Sequence, residues 1–404
     1  MASKREPDSL PAVTDSPVER YVVLGLQLGR HVDGIAEVYF GPPELAAAVD
    51  AAPLVEPRAL VDQADLLLAD LPDGWLRDQV RGLRAYAGVF AGEAPSYADE
   101  VEQCYGVRPR RTDESVFAAT HDELDRLLPG VGPVAERHRA WEESMRVPAE
   151  AIERAITAVI EEARRQTRAL VELPEGEDVA VEMVHDEPWL AFCQYLGGLQ
   201  STISVNVGLP ISAIELLTLA IHETYPGHHT ERCSKERTLV RGRGLLEETL
   251  VLVPTPQSMV AEGIATMAPW LLLEGDGAAT LVEVVRREAG VDFDLDLALA
   301  VGRALEPCRW ANLNAALMLH DAGAEETEAQ AYLERWGLLT PEMAAHVIRF
   351  LQEPTSRTYI ITYLAGRDLT RAYVGADIAR FGHLLNEQVR VGELLAAGGD
   401  ITPL

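Results

Sequence analysis

The chain is poor in cysteine. Its 404 residues include only Cys104, Cys193, Cys233 and Cys308, and no two of them form a CxxC pair. This spacing excludes a disulfide framework and a zinc site built from thiolates. Scattered free thiols are typical of proteins in a reducing compartment, so we expect a cytoplasmic location.

Positive charge is scarce as well. The chain has 35 lysine and arginine residues against 64 aspartate and glutamate residues, which gives a formal net charge of -29. A surface this acidic repels phosphate backbones and anionic lipids, so we expect neither nucleic acid nor a membrane as a partner. We interpret the charge as a contribution to solubility. It leaves the oligomeric state open.

Long apolar runs are also missing. No segment approaches the ~20 apolar residues that a membrane-spanning helix requires. Residues 1–16 are polar and lack the apolar core of a secretory signal, so we expect a disordered tail there. Residues 17–404 contain no repeat, linker or sharp change in composition, which predicts a single domain. Within it, residues 17–173 form a candidate N-terminal helical subdomain, because Pro174 and Gly176 end the longest helical run.

Helical periodicity dominates this domain, so the predicted fold class is mainly α. Apolar residues recur every three or four positions over most of the chain, and proline or glycine separates the runs. Segments 179–184, 189–196 and 201–207 predict a small β-sheet just before the most informative stretch of the sequence. An edge strand of this sheet could pair with an extended peptide. Residues 237–244 are basic and contain glycine, which predicts a loop.

The most informative stretch, residues 214–230, reads IELLTLAIHETYPGHHT. It is apolar up to His222 and then places Glu223, His228 and His229 within eight residues. Histidines and a carboxylate at the end of an apolar helix are typical of a metal site. The familiar zinc motif has histidines at i and i+4 on one helix face, with a glutamate at i+1. Here the next histidines come six and seven residues after His222.

Helix geometry shows why this spacing requires a break. On an unbroken helix His228 would lie ~120° away from the face of His222, and His229 would share that face but at ~10.5 Å of rise. Pro226 removes a helical hydrogen bond and Gly227 tolerates unusual backbone angles, so we predict a break at these two residues. The helical phase favours His229 as the second ligand, whereas a looped-out insertion allows His228. Both are candidates.

Glu262 is the candidate third ligand. It lies forty residues after His222, among small and apolar residues where an unpaired carboxylate would be costly to bury. Metal ligation would explain its presence, and so would an ion pair with an arginine. With two histidines it would hold one zinc ion, leave a fourth position open for water and lower the pKa of that water towards ~7.

Further residues are candidates for the chemistry of such a site. Glu223 directly follows a ligand, so it can take a proton from the attacking water and pass it to a leaving amine. The developing oxyanion needs a hydrogen-bond donor besides the metal. The candidate donors are the spare histidine, Tyr225, Tyr359, Tyr363 and Arg367. Arg367 could instead bind a substrate carboxylate through two N–H groups.

The motif HETYPGHH, together with AEGIAT around Glu262, resembles the domain-of-unknown-function (DUF) 885 family. Its members carry His-Glu-x-x-Pro-Gly-His-His followed by Glu-Gly-x-Ala, and they are similar to zinc carboxypeptidases and thimet-like peptidases of the gluzincin type. GPPEL and RTYIITYLAGRDL resemble other segments of the family, so the resemblance spans most of the chain. It implies a large helical metallopeptidase-like domain and a role for Tyr363. Ile264 departs from the family, in which an aromatic residue is common at this position.

Three functions are consistent with these residues. The leading one is a zinc-dependent hydrolase, a peptidase or carboxypeptidase, that acts on a peptide or small amide substrate. The second is a non-haem iron enzyme, because two histidines and one carboxylate also bind iron, although such sites usually lie in β-barrels. The third is a non-enzymatic binding protein stabilised by metal, which would apply if His228 and His229 both joined a closed four-ligand site.

Overall fold

Helices make up most of the structure, which confirms the mainly α fold class. The computed structural model describes residues 16–32, 34–187 and 189–398. The predicted tail lies outside the described residues except for Ser16, whose hydroxyl accepts the backbone N–H of Glu19 at 3.2 Å and caps the first helix. None of the helices in the described ranges is both long and apolar enough to cross a membrane.

The helices before the main sheet are α1 Pro17–Gly29, α2 Pro43–Ala51, α3 Pro57–Asp70, α4 Trp75–Phe90, α5 Tyr97–Tyr105, α6 Glu114–Leu127, α7 Val134–Ser144 and α8 Ala149–Leu170. The strands are β1 Ala36–Tyr39, β2 Asp178–Val184, β3 Ala191–Gly197, β4 Gln200–Asn206 and β5 Leu250–Leu252. Strands β2, β3 and β4 form the main sheet. The helices after the main sheet are α9 Ala213–Glu223, α10 His228–Lys235, α11 Pro256–Leu273, α12 Ala278–Ala289, α13 Leu295–Leu305, α14 Ala311–His320, α15 Glu326–Trp336, α16 Pro341–Gln352, α17 Arg367–Val374, α18 Ile378–Asn386 and α19 Val391–Ala396.

The longest helix, α8, shows why such segments are helical. It follows Pro148, and its buried residues recur at three- and four-residue spacing from Ala151 to Thr167. This spacing gives the helix one apolar face, which packs against the main sheet and α9. Amphipathic periodicity was therefore a sound guide to this part of the fold.

The predicted small sheet is present: it is the main sheet, and it lies next to α9. Strand β4 is central, parallel to β2 and antiparallel to β3, so β2 and β3 are its edge strands in the described structure. Ile203 and Val205 of β4 belong to the same apolar cluster as α8 and α9. The inner face of the sheet thus supports the helix that carries the histidines.

Two segments differ from the sequence prediction. Strands β1 and β5 pair antiparallel in a second sheet, which was missed because each strand is too short to show an alternating pattern. Residues 237–244, predicted as a loop, lie mostly in a π-helix, Glu236–Arg241, that continues α10. The loop prediction was wrong because tertiary contacts hold the segment: Arg237 pairs with Glu172 at 2.7 Å, which neutralises its charge.

Helix α11 lies at the centre of the packing. Most of its residues are buried, and its apolar side chains belong to two large clusters. One cluster joins it to the helices from α14 to α19, and the other joins it to α8, α9, α12 and the main sheet. A helix that is apolar on all sides is expected inside a protein. This position buries Glu262, the one charged residue of α11.

The N-terminal helices share a core with a later segment. Helices α1, α3 and α4 enclose an apolar cluster that includes Leu250 and Leu252 of β5. The candidate subdomain 17–173 is therefore packed against the remainder of the chain. This packing also holds β1 beside β5.

Gly263 permits a close contact between α11 and α17. A Cβ atom at this position would lie 2.2 Å from Oγ1 of Thr370 and 2.4 Å from the carbonyl oxygen of Gly366. We expect Gly263→Ala to lower the free energy of unfolding by about 1–3 kcal/mol, because backbone atoms must move to admit the methyl group. Urea titration measures this loss.

Gly302→Ala in α13 is the matched control. The nearest atom to a Cβ there would be 3.8 Å away, and alanine is the better helix former, so the stability should stay unchanged or rise by up to about 1 kcal/mol. Equal stability losses in the two variants would contradict the close contact at Gly263.

Candidate metal centre

The helix that carries His222 ends one residue after it, and α10 starts at His228. Between the two helices, residues 224–227 form a tight turn with a cis peptide bond before Pro226. The break predicted at Pro226 and Gly227 is present. It separates the two histidines onto two short, adjoining helices.

Gly227 allows these helices to touch. A Cβ atom at this position would lie 1.8 Å from the carbonyl oxygen of His222 and 2.5 Å from that of Ile221. No side chain fits in this space, so the close approach of two backbones requires the glycine. The contact sets α10 against the end of α9 and turns His228 back towards His222.

His222, His228 and Glu262 form a cluster that could hold a metal ion. One ligand atom from each lies within 4.8 Å of the others. The Nε2 atom of His222 is 3.6 Å from Oε2 of Glu262, and the Nε2 atom of His228 is 3.4 Å from Oε1. The imidazole centroids are 4.8 Å apart, with the rings nearly perpendicular. The histidine side chains are 20% and 15% exposed, so solvent reaches the cluster.

Neighbouring groups orient the side chains of this cluster, the triad of His222, His228 and Glu262. The hydroxyl of Tyr359 donates to Oε1 of Glu262 at 2.8 Å, whereas Oε2 is buried without a hydrogen-bond partner in the described part of the chain. The imidazole of His222 hydrogen-bonds with the backbone of Ala265, on the same helix as Glu262. Outer hydrogen bonds of this kind hold metal-binding side chains in place. An orphaned carboxylate oxygen beside two imidazoles fits a cation as its partner.

The pKa values of the triad reflect these contacts. Burial alone would raise the pKa of Glu262, but His228 outweighs that effect and holds it at about 2. Burial alone would lower the pKa of His228, but Glu262 raises it to about 9. Burial lowers the pKa of His222 to about 4. The triad therefore favours one positive charge beside Glu262, which a proton on His228 or a bound cation can supply.

Glu223 lies beside the triad. Its Oε1 atom is 4.0 Å from Nε2 of His222, and its carboxylate accepts the backbone N–H of Cys193 on β3. The side chain is largely buried, and this burial raises the pKa of Glu223 to about 7. A carboxylate so placed can accept a proton from a water molecule at the triad.

The structure places His229 away from the triad. Its Nε2 atom lies 3.3 Å from Oε2 of Glu177, and its Nδ1 atom lies 2.7 Å from Oγ of Ser201. Tyr225 turns to the same network and donates its hydroxyl to Glu177. Successive helical residues point about 100° apart, so α10 cannot direct both His228 and His229 at one ion. The predicted metal role of His229 and the predicted catalytic role of Tyr225 do not fit this placement.

The contacts run from a hydroxyl to an imidazole to a carboxylate, as in the nucleophile, base and acid of a serine hydrolase: Ser201, His229 and Glu177. They are only 2%, 0% and 2% exposed, so a substrate cannot reach the hydroxyl. Their contacts tie the start of α10 to β4 and to the residue before β2. The network therefore anchors His229, the residue next to His228, because buried polar groups need hydrogen-bond partners.

Tyr363 is a predicted oxyanion donor that the structure keeps near the triad. Its ring packs edge-on against Tyr359 at 5.4 Å, and the residue is 37% exposed. Partial burial raises the pKa of Tyr363, and the charges of Glu262 and Glu223 raise it further. The hydroxyl therefore stays protonated and can donate a hydrogen bond.

Arg367 lies in a different environment. It is buried, its Nε donates to Asp368 at 2.7 Å, and its Nη1 lies 4.0 Å from Glu306. A π-helix, Thr362–Gly366, precedes it, and the wider turn changes which residues share a face. The predicted role of Arg367 in catalysis or carboxylate binding does not fit, because its guanidinium is already paired.

Two charged residues near the triad were missed by the sequence analysis. Glu37 on β1 is half-buried; burial raises the pKa of Glu37, and the charges of Arg232 and His228 oppose this rise. Arg232 lies one turn after His228 on α10 and is 7% exposed. Its four-residue spacing from His228 was a usable signal once the start of α10 was known. No local signal identifies Glu37, which is far from the motif in sequence.

Comparison with known proteins adds little about this site. No family model and no curated protein matches the chain significantly. Among the solved structures, it is similar to a candidate lipoprotein of unknown function from Shewanella oneidensis, with 14% identity and a TM-score of 0.46. The alignment covers 94% of this chain and 72% of that chain. The resemblance of the motif to the DUF 885 family stays a prediction.

The two adjacent histidines allow a direct test of the triad. We expect His228→Gln to weaken zinc binding by more than about a hundredfold, since the loss of a ligand should exceed the effect of losing an outer contact. His229→Gln is the matched control and should keep one zinc ion per folded chain. Atomic absorption after dialysis measures the metal, and circular dichroism the folding. Loss of zinc from both folded variants would contradict the placement of His229.

Glu177 should make the stability depend on pH. Burial alone would raise its pKa, but hydrogen bonds from His229, Tyr225 and Arg164 hold the pKa of Glu177 at about 2. The stability that these hydrogen bonds contribute is fully present above pH 4.5, the ordinary pKa of a glutamate. It is lost as the pH falls from 4.5 towards 2. We expect Glu177→Gln to be less stable than the wild type at neutral pH, with a difference that shrinks over that range. Urea titrations at several pH values measure it, and a constant difference would contradict the assignment.

Proposed function

We propose that the protein is a zinc-dependent hydrolase that cleaves peptide or small amide bonds. One observation carries this proposal. The helix break turns His228 back to face His222 and Glu262, and the buried Oε2 of Glu262 has no hydrogen-bond partner in the described chain. Two imidazoles and one carboxylate are a donor set of catalytic zinc sites.

The alternative functions have less support. A structural zinc site needs four protein ligands, and the fourth candidate, His229, is held by Glu177 and Ser201 instead. Iron sites with two histidines and one carboxylate usually lie in β-barrels, whereas these ligands lie on helices. The donor set and its helical setting therefore favour zinc and an open site.

Each residue near the triad has a proposed task. Zinc held by the triad would act as a Lewis acid and lower the pKa of a water molecule. Glu223 accepts a proton from the attacking water and passes it to the leaving nitrogen. Tyr359 keeps Glu262 in position through its hydrogen bond. Tyr363 offers its hydroxyl to the oxygen on which negative charge develops.

The edge of β3 supports a peptide as the substrate. In the pairing of β3 with β4, the N–H of Asn206 donates to the carbonyl of Leu190 at 2.8 Å. Bonded pairs alternate along an antiparallel ladder, so Ala191 and Cys193 direct their backbone groups away from β4. The backbone of Cys193 is close enough to Glu223 to lower the pKa of its carboxyl. An extended peptide along this edge would place its bonds beside the proposed general base.

We also propose a cytoplasmic location. The four cysteines are all unpaired and buried. This state fits a reducing compartment, in which thiols persist.

Glu223→Gln tests the proposed reaction. The amide cannot accept the proton of the attacking water, so we expect kcat to fall by about 10²–10⁴-fold. The variant should still bind one zinc ion, because Glu223 is not a member of the triad. Hydrolysis of a peptide library, followed by mass spectrometry, measures activity, and atomic absorption measures zinc.

Glu161→Gln on the exposed face of α8 is the control and should leave activity unchanged. Removal of zinc by a chelator should abolish hydrolysis, and added zinc should restore it. Full activity of Glu223→Gln, or of the chelated protein, would rule out the proposed mechanism.

A further inference from the structure

Arg232 is a buried charge with few partners. The residue is 7% exposed, and its Nε lies 3.3 Å from Oε2 of the adjacent Glu231. In the described part of the chain, Glu231 is the only acceptor in contact with the guanidinium. A guanidinium carries five N–H donors, and no nitrogen of Arg232 is among the buried atoms that lack a partner, so solvent or a ligand can reach the donors that Glu231 does not use.

Glu231 is shared between two cations. Its Oε1 atom lies 2.6 Å from Nζ of Lys235, and its Oε2 atom faces Arg232. The charges of Glu37 and Glu248 also act on Arg232, although neither carboxylate is in contact with the guanidinium in the described structure. Arg232 is therefore held by one shared carboxylate, which engages only its Nε atom.

Arg232 lies towards the proposed catalytic residues. It is four residues after His228, so both share one face of α10 at about 6 Å of rise. Burial raises the pKa of the Cys193 thiol, and the charges of Glu223, Arg232 and Glu37 act on the same thiol. Helix α10 packs against β3, the strand that carries Cys193. Arg232 therefore lies on the helix beside the β3 edge along which a peptide would bind.

We propose that Arg232 binds a carboxylate group of the substrate, the terminal carboxylate of a short peptide. This inference rests on the proposed hydrolase function. The planar guanidinium can donate two parallel hydrogen bonds to a carboxylate, a geometry that lysine cannot reproduce. Arg232 takes the role predicted for Arg367, whose Nε donates to Asp368 and whose Nη1 lies 4.0 Å from Glu306.

Glu37 modulates this subsite. It forms no ion pair or hydrogen bond with Arg232 in the described structure, although the two charges interact. Its negative charge opposes the binding of a substrate carboxylate. Removing that charge should therefore strengthen carboxylate binding, whereas removing the charge of Arg232 should weaken it.

Binding to inactive protein tests the subsite without hydrolysis. The probes are N-benzoylglycyl-phenylalanine and its C-terminal amide, titrated by calorimetry into zinc-loaded Glu223→Gln. We expect the acid to bind at least about tenfold more tightly than the amide, because hydrogen bonds to charged groups are the strong ones. A further Arg232→Gln substitution should bring this ratio of affinities close to one without weakening the binding of the amide. Arg232→Lys should retain part of the ratio, and Glu37→Gln should increase it.

Arg241→Gln is the matched control, because Arg241 lies on the next helical segment, pairs with Glu236 and is half exposed. It should leave the ratio unchanged, and thermal unfolding should show that all variants are folded. Equal affinity for the acid and the amide would overturn the inference, and so would no binding of either probe. A ratio of affinities that persists in Arg232→Gln would also overturn it. If the unmodified zinc protein hydrolyses no peptide but the ratio behaves as expected, the hydrolase proposal fails and the carboxylate subsite stands.

Discussion

The close contact between Gly227 and the last carbonyl groups of α9 is the constraint on which the site depends. On a continuous helix, His222 and His228 would point ~120° apart. The turn over residues 224–227 ends one helix and starts the next against it, so two residues six positions apart in sequence become neighbours. The contact leaves no room for a Cβ atom. Glycine at 227 is thus a condition for the triad, since it permits the backbone approach that sets the direction of His228.

A turn of this kind needs support on its other side, which the buried network around His229 supplies. Glu177 holds His229 and Tyr225, and Ser201 contacts the second nitrogen of His229. The two adjacent histidines therefore have separate tasks: His228 faces the triad and His229 faces the core. A fully satisfied buried network is rigid, because breaking one of its hydrogen bonds leaves a polar group without a partner.

Local chemistry in the sequence was sufficient to predict the mainly α fold, the small sheet and the helix break. It also singled out His222 and Glu262, which the structure brings together. It could not decide between His228 and His229, because that choice depends on the path of a four-residue turn. Helical phase favoured His229 on the assumption of a nearly regular helix, which the Gly227 contact removes. Glu37 and Glu177 reach the site from distant segments. Only the fold brings them there, as it also pairs β1 with β5.

The balance of charge around the triad distinguishes the two interpretations of Glu262 that the sequence allowed. An arginine partner would neutralise the carboxylate, yet its contacts are two histidines and the hydroxyl of Tyr359. The charges of Glu262 and Glu37 both raise the pKa of Glu223, which burial has already raised. Glu262, Glu223 and Glu37 disfavour one another's charge, so a positive charge at the triad is stabilised there, either as the proton that His228 holds or as a bound cation. This grouping of carboxylates supports a cation as the partner of Glu262 without reference to the motif.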